Sequence, residues 1–150
     1  MRAIVQRVKD AVLTVNHQKI SEINSGLVVY LGIGKGDTIK EMQWMAKKIA
    51  GLRVFSDENG KMNLSAKDIG AEIMVVSQFT LYGDIRNGYR PSFIEAEEPA
   101  KANEMYEKFC DELAISGIKK VAKGVFGADM TIQQTNSGPV TIILEKQNEL

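Results

Sequence analysis

The chain of 150 residues holds one histidine, His17, and one cysteine, Cys110, and these two shortages exclude much familiar chemistry. A lone cysteine can form neither an internal disulfide nor a cysteine metal cluster, and it suits a reducing cytoplasm. A lone histidine, set in a predicted turn, leaves no Ser-His-Asp triad and no Cys-His pair. Together the two scarcities leave no zinc site of the usual kind. Charge of one sign is also missing: 19 basic residues meet 19 acidic ones, for a formal net charge of zero. Nucleic acid could then be held only by a local patch. No apolar run approaches the ~20 residues of a membrane span. Residues 1–7 show no apolar signal region, so a cytoplasmic protein is expected.

What is present reads as alternating strands and helices. Residues 2–8 alternate as a strand, and residues 12–15 and 19–23 as a hairpin around Asn16-His17-Gln18. Residues 27–31 form a continuous apolar run and read as a buried strand. Gly32, Gly34 and Gly36 follow, then a helix, an order that invites a phosphate loop. The spacing matches neither G-x-G-x-x-G nor G-x-x-x-x-G-K-[ST], so the glycines read as a tight connection. Thr38 and Glu41 are spaced as a capping box. Ile39, Met42, Met45, Ala46 and Ile49 give the helix, 39–52, one apolar face. Short strands at 53–55 and 61–64 flank a loop that lacks the calcium-loop pattern. Glu97-Glu98-Pro99 opens a second helix, with acidic residues at its positive end and proline in the first turn. Ala102, Met105, Tyr106, Phe109 and Leu113 make its stripe, with Cys110 beside them as a buried, inert thiol. Gly117 is the expected C-cap. Strands at 119–123, 128–135 and 140–146 follow, with a turn at 136–139 and a frayed end at 147–150. This order predicts one α/β domain over 1–150, three-layered, with helices on one side of the sheet region.

The stretch 73–84 organises the rest. Ile73, Met74, Val75 and Val76 read as a buried strand that runs on into Ser77-Gln78-Phe79-Thr80-Leu81. Alternation puts Gln78 and Thr80 on one face and Ser77 and Phe79 on the other. Such polar groups at a strand end either bond nearby backbone or form a small-molecule site. Residues 82–93 mix Arg86 and Arg90 with Tyr82, Tyr89 and Phe93. That mixture is either a single-stranded nucleic-acid contact or an ordinary surface loop. An enzyme made from this inventory would work with hydroxyls, backbone N–H groups and the substrate's own groups, with no metal or cofactor. An already activated substrate such as an ester would suit it.

Ser77-Gln78-Phe79-Thr80-Leu81 and Asn136-Ser137-Gly138-Pro139-Val140-Thr141 resemble the two signature motifs of the D-aminoacyl-tRNA deacylases. The likeness extends to residues 1–8, to Arg90-Pro91-Ser92-Phe93 and to residues 124–130, and so covers the chain in order. Ser137 departs from the acidic residue common at its place. The resemblance implies a three-layer α/β/β deacylase domain, acting as a homodimer on the aminoacylated 3′ end of tRNA. It implies hydrolysis of the ester between a D-amino acid and the terminal adenosine, near Ser77, Gln78, Phe79, Thr80 and Phe126. Gly138-Pro139, joined by a cis peptide, would reach into the partner's site and exclude L side chains, with Arg7 holding the loop. Glycine has no side chain to exclude, so glycyl-tRNA should also be cleaved. Thr80 has been viewed as the family's nucleophile. With no base in view to take its proton, water attack assisted by the ribose 2′-hydroxyl is the preferred expectation, with backbone N–H groups of 77–80 on the oxyanion.

Overall fold

The computed structural model describes residues 1–148. Its elements are β1 (Arg2–Val15), β2 (Gln18–Ile23), β3 (Gly26–Gly32), α1 (Ile39–Gly51), β4 (Phe55–Ser56), β5 (Met62–Leu64), α2 (Ala66–Ile69), β6 (Glu72–Ser77), a 3-10 turn (Phe79–Tyr82), α3 (Pro99–Ile115), β7 (Val121–Lys123) and β8 (Thr131–Glu145). β3, β6 and β7 are parallel neighbours, and β1 pairs antiparallel with β3, β2 and β8. Among the described residues no helix is long and apolar enough to cross a membrane.

The side-chain period of two sorts the central strands into two cores. Leu27, Val29, Leu31, Ile73 and Val75 face α1 and α3, where Met45, Ile49, Phe109 and Leu113 cover them. Val28, Met74, Val76 and Ala122 point the other way, onto Val8, Ala11, Leu13 and Ile23 of the β1–β2 hairpin. Helices, central sheet and a second β layer are therefore stacked in the expected α/β/β order.

Local signals account for most of the elements. Asn16 (φ 51°) and His17 (φ 65°) both adopt the left-handed conformation that a two-residue hairpin needs. The Thr38–Glu41 capping box forms, with Glu41 buried and accepting the Thr38 N–H at 2.6 Å. Met42, Met45, Ala46 and Ile49 are buried as expected. Ile39 is not: in the first turn it is 40% exposed and lines a groove against α3. Glu98 caps α3 by accepting the Lys101 N–H, and Gly117 (φ 106°) lies one residue past the C-cap, Ser116. Of the helical segments missed in the sequence, α2 carries its own signal, a Ser65–Asp68 capping box.

The principal correction concerns β1 and β8. Strands expected at 2–8 and 12–15 are one strand, and the turn expected at 136–139 lies inside β8. Antiparallel pairing runs from Arg2↔Glu145 to Thr14↔Thr131 and holds both chains extended. Gln6 pairs with Thr141 and Val8 with Asn136, so Arg7 alone faces the four residues from Ser137 to Val140. The turn-forming sequence is absorbed as a wide bulge. The frayed end expected at 147–150 falls partly on 149–150, outside the described residues; Asn148 still donates to the Gly36 carbonyl at 3.2 Å.

Candidate active site

β6 does not continue through residue 81, because its partner ends. Parallel pairing with β3 runs out at Leu31↔Ser77, and the Gln78 N–H makes the last rung to the Leu31 carbonyl at 2.8 Å. With no strand left to bond, the chain winds into the 3-10 turn, and the expected alternation of Gln78 and Thr80 against Phe79 is lost. The seat for this turn is the glycine-rich connection after β3. A Cβ on Gly34 would lie 2.6 Å from the Tyr82 hydroxyl, and one on Gly32 would lie 3.1 Å from the Gln78 carbonyl oxygen. The glycines are there to admit the turn. Arg2 fixes it from below, donating to the Leu81 carbonyl at 2.9 Å and lying 4.5 Å from the centre of the Tyr82 ring.

A cavity of about 600 Å³ opens where β3 and β6 end, and Ser77, Gln78, Phe79, Phe93 and Phe126 are among its lining residues. Most of the wall is apolar, with Glu97 and Glu98 its only charged side chains among the described residues. In the sequence these two glutamates read only as a helix start. Both are engaged there, Glu97 accepting the Glu98 N–H and Glu98 that of Lys101, each at 2.9 Å. Phe79, 56% exposed, meets Phe93 edge-on at 5.1 Å between ring centres, which places this pair at the mouth. Thr80 is exposed beside the cavity and its hydroxyl accepts a hydrogen bond from the Gln78 side-chain amide. The N–H groups of Phe79 and Thr80 open the 3-10 turn, where helical geometry supplies no acceptor, and they have no partner among the described residues.

Tyr106 reads in the sequence only as part of the α3 stripe, and in the structure it does more. Its buried hydroxyl donates to the Val75 carbonyl at 2.8 Å and accepts the Gly124 N–H at 3.1 Å. Its ring centre lies 6.2 Å from that of Phe126. It thereby ties β6, which delivers Ser77 and Gln78, to the segment that carries Phe126. Burial raises its phenol well above the ordinary tyrosine range, so it remains a neutral donor. A tyrosine on a buried stripe is the available signal, since its hydroxyl must find partners inside.

Arg7, Gly138 and Pro139 lie elsewhere. Arg7 donates through Nε to the Ser137 carbonyl at 3.0 Å and through Nη1 to the Val54 carbonyl at 2.7 Å, bracing the bulge. The Gly138–Pro139 peptide is cis, and both residues are exposed. Arg7 pairs with Leu27, four residues before Leu31, which is about 13 Å back along β3 from the cavity. None of the three lines the cavity. Within one chain, Ser77, Gln78, Phe79 and Phe126 share a site, Thr80 flanks it, and the Gly-Pro dipeptide stands apart.

Fold and site define a class: an α/β/β domain with a sizeable apolar cavity, rimmed by amide, hydroxyl and unpartnered backbone N–H groups, with no histidine or cysteine among the described residues that line it. The family model for D-Tyr-tRNA(Tyr) deacylase matches residues 4–145. A D-aminoacyl-tRNA deacylase of Myxococcus xanthus is 52% identical over 145 residues, covering 97% of this chain and 94% of its own. One from Thermotoga petrophila is 52% identical over 97% of both chains. A solved structure named "c-Myc DNA Unwinding Element Binding Protein" is 42% identical, with a TM-score of 0.93 over 99% of this chain and all of that one. A second, described as a probable eukaryotic D-amino acid tRNA deacylase, shares the fold at 15% identity, with a TM-score of 0.82 over 95% of this chain and 97% of its own. The chain belongs to the D-Tyr-tRNA(Tyr) deacylase family.

Proposed function

We propose that the protein hydrolyses the ester linking a D-amino acid to the 3′-terminal adenosine of tRNA, in the cytoplasm, within one domain over 1–150. The observation that carries this reading is the pairing of the cavity with two unengaged N–H groups, Phe79 and Thr80, at its rim. An aminoacyl ester is already activated, so it needs an oxyanion acceptor and water more than a strong nucleophile. Water adds to the ester carbonyl, the bond to the 3′-oxygen breaks, and that oxygen leaves with a proton, the neighbouring 2′-hydroxyl helping in the transfer. Of the donors expected throughout 77–80, the Gln78 N–H is taken by the Leu31 carbonyl, and Phe79 and Thr80 are the pair favoured here.

Thr80 is assigned a supporting role. Its hydroxyl is held by Gln78, and among the described residues no titrating base is bonded to it. Thr80→Ala is expected to lose less than about tenfold in kcat, whereas removing a true nucleophile costs roughly a million-fold. A tRNA ending in 2′-deoxyadenosine is expected to resist cleavage. An inert Thr80→Ala that still folds and binds tRNA would overturn this assignment.

Chiral selection is assigned to a homodimer. Gly138 and Pro139 are exposed, lie far from their own cavity, and are held out by Arg7. β8 has a free edge among the described strands and carries Ile143, 78% exposed, features that invite pairing with another chain. The dipeptide of one protomer would wall the partner's cavity and reject L side chains by collision. Achiral glycine would pass that wall, so glycyl-tRNA is an expected substrate. The deciding test is release of tyrosine from tRNA charged with D- or L-tyrosine. Loss of the D ester alone supports the whole reading, and loss of both leaves an esterase without the wall. A protein that only binds nucleic acid, the role for which the 42% identical relative is named, would leave both esters intact.

A further inference from the structure

The loop between Asp84 and Ser92 adds nothing to the cavity wall, yet it is firmly built. Its base is closed by two backbone bonds, Asp84 N–H to the Ser92 carbonyl at 2.8 Å and Ser92 N–H to the Asp84 carbonyl at 3.0 Å. The Asp84 carboxylate then takes the Arg86 N–H, Nε and Nη2 at 2.7 to 3.0 Å. Arg86 is thus engaged within the loop, although by composition it looks as available as Arg90. Gly88 (φ 88°) turns the tip, and Tyr89 beyond it is fully exposed, at 103% of its reference area. Arg90 is exposed and has no ion-pair partner among the described residues. A tyrosine held in water on a braced loop buries none of its large apolar face.

We propose that Tyr89 and Arg90 form a second RNA contact, for the unpaired nucleotides that precede the terminal adenosine of tRNA. This rests on the deacylase reading above. Phe93, at the cavity mouth, is four residues from Tyr89, at most about 14 Å of chain. A terminal nucleoside held in the cavity would then have its upstream neighbours within reach of this loop. Any base offers a face to the Tyr89 ring, and the Arg90 guanidinium suits the adjoining phosphate. The contact would be indifferent to sequence, as befits a protein with no net positive field.

The test compares D-tyrosyl-tRNA with the D-tyrosyl ester of adenosine alone. In Tyr89→Ala the ratio of kcat/KM on the tRNA to that on the nucleoside ester should fall about tenfold, through KM, the size expected for one lost base stack. Tyr89→Phe should restore it. Arg90→Gln should lower the ratio and flatten the salt dependence of tRNA binding. Affinity for uncharged tRNA supplies a readout free of catalysis: Tyr89→Ala should weaken binding of intact tRNA and leave tRNA trimmed of its unpaired 3′ nucleotides unaffected. If the wild type cleaves neither ester, the deacylase reading fails and the binding arm still decides this proposal. An unchanged ratio, equal effects on intact and trimmed tRNA, or a Tyr89→Ala variant whose oligomeric mass has changed would overturn it. The last result would make the loop a subunit contact.

Discussion

Arg7 and Gly138 show how one side chain can be read in two directions. Arg7→Ala removes two bonds to carbonyl oxygens and should cost about 2–3 kcal/mol in urea denaturation, with L-ester rejection lost as the bulge relaxes. Lysine should recover only part of this, because an ammonium cannot reproduce the guanidinium fork. Gly138 gives the opposite pattern. A Cβ there would meet only the Val140 nitrogen, at 3.7 Å, so Gly138→Ala should shift stability by less than about 1 kcal/mol in a thermal melt. If the dipeptide faces the partner's cavity, D-ester cleavage should nonetheless slow at least tenfold, on the order of what misplaced groups cost elsewhere. Cys110 carries a pH signature. Burial pushes its thiol up to about 12. As pH rises past about 9 the unfolded chain loses this proton first and the native chain keeps it. Stability should therefore fall between about pH 9 and 12, and Cys110→Ala should flatten that fall in alkaline denaturation curves. A native-state thiol assay should find Cys110 unreactive until the protein unfolds.

At the scale of elements, the site exists because two strands stop. β3 ends in glycines, β6 loses its partner, and the 3-10 turn beside the cavity leaves two N–H groups with no acceptor among the described residues. Tyr106 keeps the far wall in register with this rim. Tyr106→Phe keeps the ring and removes both hydroxyl bonds, so about 1–3 kcal/mol of stability should be lost, with KM raised more than kcat falls. Steady-state kinetics beside urea curves would separate that positioning effect from a purely structural one, in which the folded fraction turns over with an unchanged KM. The capping boxes at Thr38 and Ser65 are legible signals by contrast. Each lies within four residues of sequence, which is why α1 could be read and α2 could have been.

For the whole molecule, the expected dimer makes a test that single substitutions cannot. One variant damaged at Phe79 and another damaged at Gly138 should each be weak alone. Mixed and allowed to exchange subunits, they should regain activity that neither homodimer has, because one hybrid site combines an intact rim with an intact dipeptide. Failure to complement, with exchange verified by mass, would mean that rim and dipeptide act from the same chain.

The periods of two and 3.6, the caps and the glycine turns are local, and from them the sequence by itself determined the buried central strands, the helices α1 and α3 with their apolar faces, and the buried thiol. The motif likeness picked out the residues from Ser77 to Thr80 and the Gly138-Pro139 pair. Only the tertiary structure decided where these stand. Residues 136–139 look like a turn in isolation, yet pairing with β1, more than 120 residues away, draws them into a strand and expels the surplus as a bulge. The strand read through residue 81 stops at Ser77 because β3 stops. Tyr106 became a tie between two walls because a buried hydroxyl must be satisfied by whatever the fold brings near it. Each outcome depends on long-range partners, and local sequence carries no record of which backbone will lie opposite.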